Sequence, residues 1–310
     1  MTLQEFRFLV ALAREKHFHK AAKACFVSQP TLSIAIRKLE KELGIELFER
    51  HNNVVRITSA GQDIVERAKR VLAEVEELKL VALSDKDQLN TVFKLGAIYT
   101  IGPYLLPPLI TALHQLAPKM PIEIQENFTI NLREKLLAGE LDAIIISLPF
   151  GGPGIVTRTL YKEDFVVLMP GDHPLAKFKS IPEKSLSDYN VLMLGEGHCF
   201  RDQVISSCPR CFSDNKSMSG VNWRTVEGGS LETIRHMVAS GMGLTILPRS
   251  AVSLTHYYEN ILTFRPLKAV SPSRTVALAW RHSFTRIKAI DAVLKAITNC
   301  KISEILKQKI

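Results

Sequence analysis

Apolar residues recur every three to four positions through the first 84 residues, then give way to short apolar runs alternating with helical segments. A first helix is predicted from Thr2 to Lys16, with Leu3, Phe6, Leu9, Val10 and Ala13 on one face. A short second helix follows over 19–24, rich in alanine. Ser28 then stands as an N-cap, with Pro30 in the first turn of a third helix that carries Leu32, Ile36, Leu39 and Leu43 inward and ends at Gly44. Two short strands, 47–50 and 54–58, flank His51-Asn52-Asn53. A single long helix extends from 59–61 to about 84, with Ile64, Ala68, Val71, Leu72, Val75, Leu78 and Val81 along one stripe. Such a stripe is buried when the helix pairs with its copy, so the pattern predicts a dimer.

The second and third helices make a helix-turn-helix whose outer face offers Ser28, Gln29, Pro30, Thr31, Ser33, Arg37 and Lys38 to a major groove. The strand pair reads as a wing, which brings Arg50, His51 and Arg56 to the flanking backbone. A generic three-helix bundle fits the periodicity of the helices alone. Double-stranded DNA is the partner that accounts for the wing as well.

From residue 91 onward the chain reads as α/β. Strands are predicted at 92–98, 122–126, 142–146, 165–169, 191–194 and 244–247, with helices at 102–117 and near 130–138. Alternation of this kind implies mainly parallel sheets, with ligands at strand C-terminal ends and helix N-termini.

Charge adds little to this picture. The chain carries +9 overall, and residues 1–60 hold ten Lys/Arg against six Asp/Glu. That suits a polyanionic partner without requiring one. No stretch approaches the ~18 apolar residues of a membrane span, and no secretory signal is visible, so a cytoplasmic protein is expected. Five cysteines in 310 residues point to a reducing compartment rather than a disulfide scaffold.

The cysteines of Gly195-Glu196-Gly197-His198-Cys199-Phe200-Arg201-Asp202-Gln203 and Cys208 carry the candidate chemistry. Cys199 follows two glycines at the start of a helical run and sits beside His198. A helix N-terminus and a nearby cation both favour thiolate. Cys208 could capture a sulfenic acid formed on Cys199. In a continuous helix the two would lie roughly 13 Å apart, whereas a disulfide needs Cα atoms about 4.4–6.8 Å apart. Joining them therefore requires the helix to unwind. Cys211 makes a C-x2-C with Cys208, open to a second reading as resolving thiol or metal ligand. A zinc site lacks a full ligand set in the sequence, and neither metal nor cofactor is expected. Cys25 and Cys300 read as small core residues.

Phe18-His19-Lys20-Ala21-Ala22, Ser28-Gln29-Pro30-Thr31-Leu32-Ser33, Leu39-Glu40 and Leu47-Phe48-Glu49-Arg50 together resemble the LysR-type transcriptional regulators. The cysteine segment, with 230–238 and 243–248, is similar to the peroxide-sensing members of that family. The resemblance implies a winged helix-turn-helix over 1–60, a linker and dimerisation helix over 61–90, and an α/β regulatory domain over 91–310. That domain would be periplasmic-binding-protein-like, with subdomain I about 91–162 and 268–310 and subdomain II about 163–267. It further implies Cys199 as peroxidatic and Cys208 as resolving residue. Thr100 and Thr129 would hold the peroxide oxygens, His198 would stand beside the thiol, and Arg274 would stabilise the thiolate. The function implied is a non-enzymatic, homotetrameric activator of antioxidant genes, working with RNA polymerase. The alternatives are a metabolite-sensing regulator with incidental cysteines, and a thiol peroxidase.

Overall fold

The computed structural model describes residues 1–51, 54–82, 88–209, 227–252, 261–268 and 272–300. Helix α1 (Leu3–Glu15) opens on a reciprocal cap. The Thr2 hydroxyl accepts from the Glu5 amide at 3.2 Å, and the Glu5 carboxylate accepts from the Thr2 amide at 2.7 Å. Helix α2 (Phe18–Ala24) leads through a turn to α3 (Gln29–Leu43), capped by Ser28, whose hydroxyl accepts from the Thr31 amide at 3.3 Å. Gly44, at φ 70°, supplies the left-handed residue that ends α3. Phe8, Leu9, Leu12, Ala21, Ala22, Leu32, Ile36 and Leu39 bury into one core. Each large one contributes roughly 1.5–3 kcal/mol.

Strands β1 (Phe48–His51) and β2 (Val54–Ile57) pair antiparallel, with Phe48 opposite Ile57 and His51 opposite Val54. This is the wing expected from the sequence. Helix α4 (Ser59–Ala82) buries Val65 and Ala68 in the same core, while Val71 and Leu78, seven residues apart, stay exposed. Part of the apolar stripe therefore packs within the chain, and Val71 and Leu78 face solvent.

The regulatory domain contains β3 (Phe93–Ile98), α5 (Gly102–Leu116), β4 (Ile122–Asn127), α6 (Thr129–Leu137), β5 (Ala143–Ser147), β6 (Ile155–Pro170), β7 (Val191–Leu194), α7 (Cys199–Ser207), β8 (Glu227–Gly228), α8 (Leu231–Ala239), β9 (Leu244–Pro248), β10 (Leu262–Pro266), β11 (Ser273–Arg281) and α9 (Ile287–Asn299). The strands run in the order β4-β3-β5-β11-β6-β9-β7-β8, with β10 on β6. Parallel pairs link β3 to β4 and β5, and β7 to β8 and β9.

Where the sequence predicts mainly parallel sheets, the structure shows a mixed one. β6 and β11 run antiparallel to their neighbours and to each other. The reason is connectivity, since the chain leaves subdomain I through β6 and returns through β11. Two crossings in opposite senses must be antiparallel. Only 165–169 of β6 shows in the apolar pattern, because its first half is largely exposed and carries Thr157, Arg158 and Lys162.

Candidate redox site

The site forms where the ends of β3 and β4 meet α7, β6 and β11. A buried charge pair lies at its base. Arg274 Nε on β11 donates to Glu163 Oε1 on β6 at 2.7 Å, and both side chains are fully excluded from solvent. The other Glu163 oxygen accepts from the Ser250 amide at 3.0 Å. A buried guanidinium needs such a partner, because an isolated charge there would be strongly destabilising.

The rest of the Arg274 fork reaches the end of β3. Nη1 donates to Thr100 Oγ1 and Nη2 to the Thr100 carbonyl, each at 2.8 Å. The Thr100 oxygen thus acts as acceptor toward Arg274, which leaves its own proton to be donated elsewhere. Arg274 also stands over the Phe200 ring, 5.3 Å from its centroid. Phe200 packs edge-on against Phe165 at 5.0 Å, fixing the first turn of α7 against the core of subdomain II.

Cys199 is the first residue of α7 and is half-buried. The N-cap, His198, makes no side-chain cap hydrogen bond, and the Arg201 amide donates instead to the His198 carbonyl at 2.9 Å. The loop before it turns at Gly197, φ 90°, where a Cβ would stand 3.3 Å from the Phe128 ring. The His198 ring packs against Phe128 at 4.8 Å and Tyr99 at 6.0 Å. Burial pushes its pKa below the ordinary histidine value, against a smaller opposing effect of a hydrogen bond to the Gly229 backbone. His198 is therefore biased toward the neutral form and acts as a packed, hydrogen-bonding ring rather than a cation. Thr129 opens α6 directly after Phe128, and its buried hydroxyl has no hydrogen-bond partner. A buried hydroxyl in that state is suited to a small polar guest.

Arg274 thus contacts both Thr100 and the residue after Cys199, while Thr129 follows Phe128 and His198 packs on its ring. Cys208 is at the far end. It is the C-cap of α7, only 2 % exposed, and its amide donates to the Val204 carbonyl at 2.9 Å. Nine residues at ~1.5 Å keep it about 13 Å from Cys199. Cys211 lies outside the described residues. Among the described residues, no three His, Cys, Asp or Glu are grouped to hold a metal ion. Cys300 is buried, which raises its pKa to about 11, and burial also raises that of Cys25.

In the N-terminal domain, Gln29, Pro30, Thr31, Arg37 and Lys38 are exposed on α3, Ser33 is half-buried, and Arg56 is exposed on β2. The hydroxyls of Ser28 and Thr31 bond each other at 2.7 Å as part of the cap. Lys38 Nζ is 2.9 Å from Glu5 Oε1, so this lysine also ties α3 to α1. Arg50 lies in β1 opposite Val55.

Sequence reasoning passed over Glu163, Phe128 and Tyr99, and gave Gln203 no role of its own. Only Glu163 left a trace, as one of two adjacent acids, with Asp164, before the apolar run 165–169.

The profile of the bacterial regulatory helix-turn-helix proteins of the lysR family matches residues 3–62, and that of the LysR substrate binding domain matches residues 86–300. The chain belongs to the LysR family. Among its relatives, the dual regulator OxyR of Escherichia coli K12 is 36% identical over 313 residues, covering all of both chains. The hydrogen peroxide-inducible genes activator of Dickeya chrysanthemi is 38% identical over 281 residues, covering 91% of this chain and 90% of its own. Full-length OxyR C199D from Pseudomonas aeruginosa superposes with a TM-score of 0.78 at 50% identity, covering 97% of this chain and 99% of that one. A peroxide-bound OxyR mutant from Corynebacterium glutamicum gives 0.62 at 30% identity, covering 98% and 94%. These LysR-family relatives are transcriptional regulators, not enzymes.

Proposed function

We propose that this LysR-family protein is a DNA-binding transcriptional regulator that senses hydrogen peroxide through Cys199. It is not an enzyme. The observation that carries the reading is the placement of Cys199 at the uncapped start of α7 while Cys208 lies buried at its other end.

In the first step the Cys199 thiolate attacks one peroxide oxygen. The O–O bond breaks, an S–O bond forms, and the departing oxygen takes up a proton to leave as water. Thr100, with its acceptor side held by Arg274, and Thr129, with its unpartnered hydroxyl, supply hydrogen bonds to the two peroxide oxygens. Arg274 contributes fixed positive charge moderated by Glu163. In the second step the Cys208 sulfur displaces the oxygen of the Cys199 sulfenic acid, giving a disulfide and a second water.

That bond is incompatible with α7. Closing from about 13 Å to the 4.4–6.8 Å of a disulfide unwinds the helix and withdraws Cys208 from the subdomain II core. The rearranged surface changes how copies assemble, and with it the spacing at which the helix-turn-helix domains meet promoter DNA. Dimerisation uses the exposed stripe of α4. We infer a homotetramer as the full assembly, RNA polymerase as partner, antioxidant genes as targets and the bacterial cytoplasm as location.

A promoter footprint of reduced and peroxide-treated protein, with disulfide mapping, tests the reading. The expected result is an altered footprint together with a Cys199–Cys208 peptide pair, both absent in Cys199→Ser. A footprint that peroxide leaves unchanged and a metabolite alters would overturn it. A Cys199–Cys211 pair would reassign the resolving thiol.

A further inference from the structure

Gln203 lies on α7 midway between the two cysteines, and its carboxamide leaves subdomain II. Nε2 donates to Ser147 Oγ at 2.9 Å and to the Leu148 carbonyl at 3.2 Å, both at the end of β5 in subdomain I. Ser147 is itself buried. By contrast, Arg201 on the same helix donates to the Leu194 carbonyl of β7, within subdomain II. The reactive helix is therefore tied to the opposite subdomain through one carboxamide.

We propose that Gln203 is a positioning residue, a catch that holds α7 in its dithiol geometry and thereby sets how readily the disulfide forms. The proposal rests on the Cys199–Cys208 reading above. Its physical basis is the shortness of α7, which has nine residues. Releasing Cys208 strips residues 204–208 from the helix. What remains over 199–203 holds a single i→i+4 bond, and an isolated turn of that kind is unstable. The backbone under Gln203 then moves, and both carboxamide hydrogen bonds break. They stabilise the dithiol only, so removing them favours the disulfide.

The balanced exchange to be measured is protein disulfide plus dithiothreitol giving protein dithiol plus oxidised dithiothreitol. Full-length protein is equilibrated in graded dithiothreitol buffers, alkylated and mapped for the Cys199–Cys208 peptide pair. Two hydrogen bonds of ordinary net worth correspond to about tenfold. Gln203→Leu should thus need about tenfold more dithiothreitol for half-reduction, a potential about 30 mV more negative. Ser147→Ala should shift the midpoint about threefold the same way, and the double variant should match Gln203→Leu alone.

In a Cys208→Ser background, the rate at which peroxide converts Cys199 to sulfenic acid should stay within about twofold on changing Gln203, since the catch acts on the second step. A Gln203→Leu midpoint equal to that of the parent overturns the catch, as does a sulfenylation rate that falls tenfold. If Gln203→Leu does not fold, an unshifted Ser147→Ala midpoint overturns it instead. Absence of the Cys199–Cys208 pair in the unsubstituted protein would sink the disulfide reading itself, a result that no variant is needed to see.

Discussion

Arg274 grips Thr100 twice, through its hydroxyl and its carbonyl, both at 2.8 Å. The grip fixes the Thr100 oxygen as an acceptor, so that its own proton is left to be donated elsewhere. Thr100→Val keeps the shape of the side chain and removes this donor. A hydrogen bond involving a charged or charge-developing group is worth about 1.5–3 kcal/mol. The rate of Cys199 sulfenylation by peroxide, followed by stopped flow, should fall about ten- to hundredfold with the fold retained.

Glu163 keeps the buried guanidinium tolerable. Glu163→Ala leaves Arg274 charged and unpaired in a fully excluded position. Breaking such a pair from one side costs about 3–5 kcal/mol. Urea unfolding of the reduced protein should show this loss, and Glu163→Gln, which preserves an oxygen for Arg274 Nε, should show less.

His198 links stability to pH. Above about pH 6.5 the ring is neutral in both folded and unfolded chains. Below it the unfolded chain binds a proton that burial makes the folded chain resist. The protein therefore loses stability as the pH falls from about 6.5. Denaturation midpoints between pH 7 and 5 should fall less steeply in His198→Asn than in the parent.

On α3, two neighbouring cations separate by role. Lys38→Ala should lower the stability of the helix-turn-helix domain through loss of its tie to Glu5. Arg37→Ala should leave stability unchanged and weaken DNA, reducing the salt dependence of binding by about one phosphate contact. Binding to DNA selected by the protein from a random library, titrated against salt, measures both. Equal salt slopes for Arg37→Ala and the parent would remove Arg37 from the interface.

The winged helix-turn-helix was legible because its determinants are local. Ser28, Pro30 and Gly44 act within one turn of themselves, and the spacing of Leu32, Ile36 and Leu39 repeats the helix period. Cys199 was legible for a similar reason, as helix start and thiol are adjacent in sequence. Glu163 and Gln203 were not, because their partners lie 111 and 56 positions away.

The sequence by itself determined the order of elements, the placement of Cys199 at a helix start and the conflict between a helix and a bond across it, since periodicity and helix rise act along the chain. Tertiary structure alone decided that β6 and β11 run antiparallel and that Cys208 begins buried. It also decided that Arg274 serves Thr100 under restraint from Glu163, and that Gln203 ties α7 to β5. Hydrogen bonds and burial act through space, and no spacing along the chain encodes which distant groups will meet.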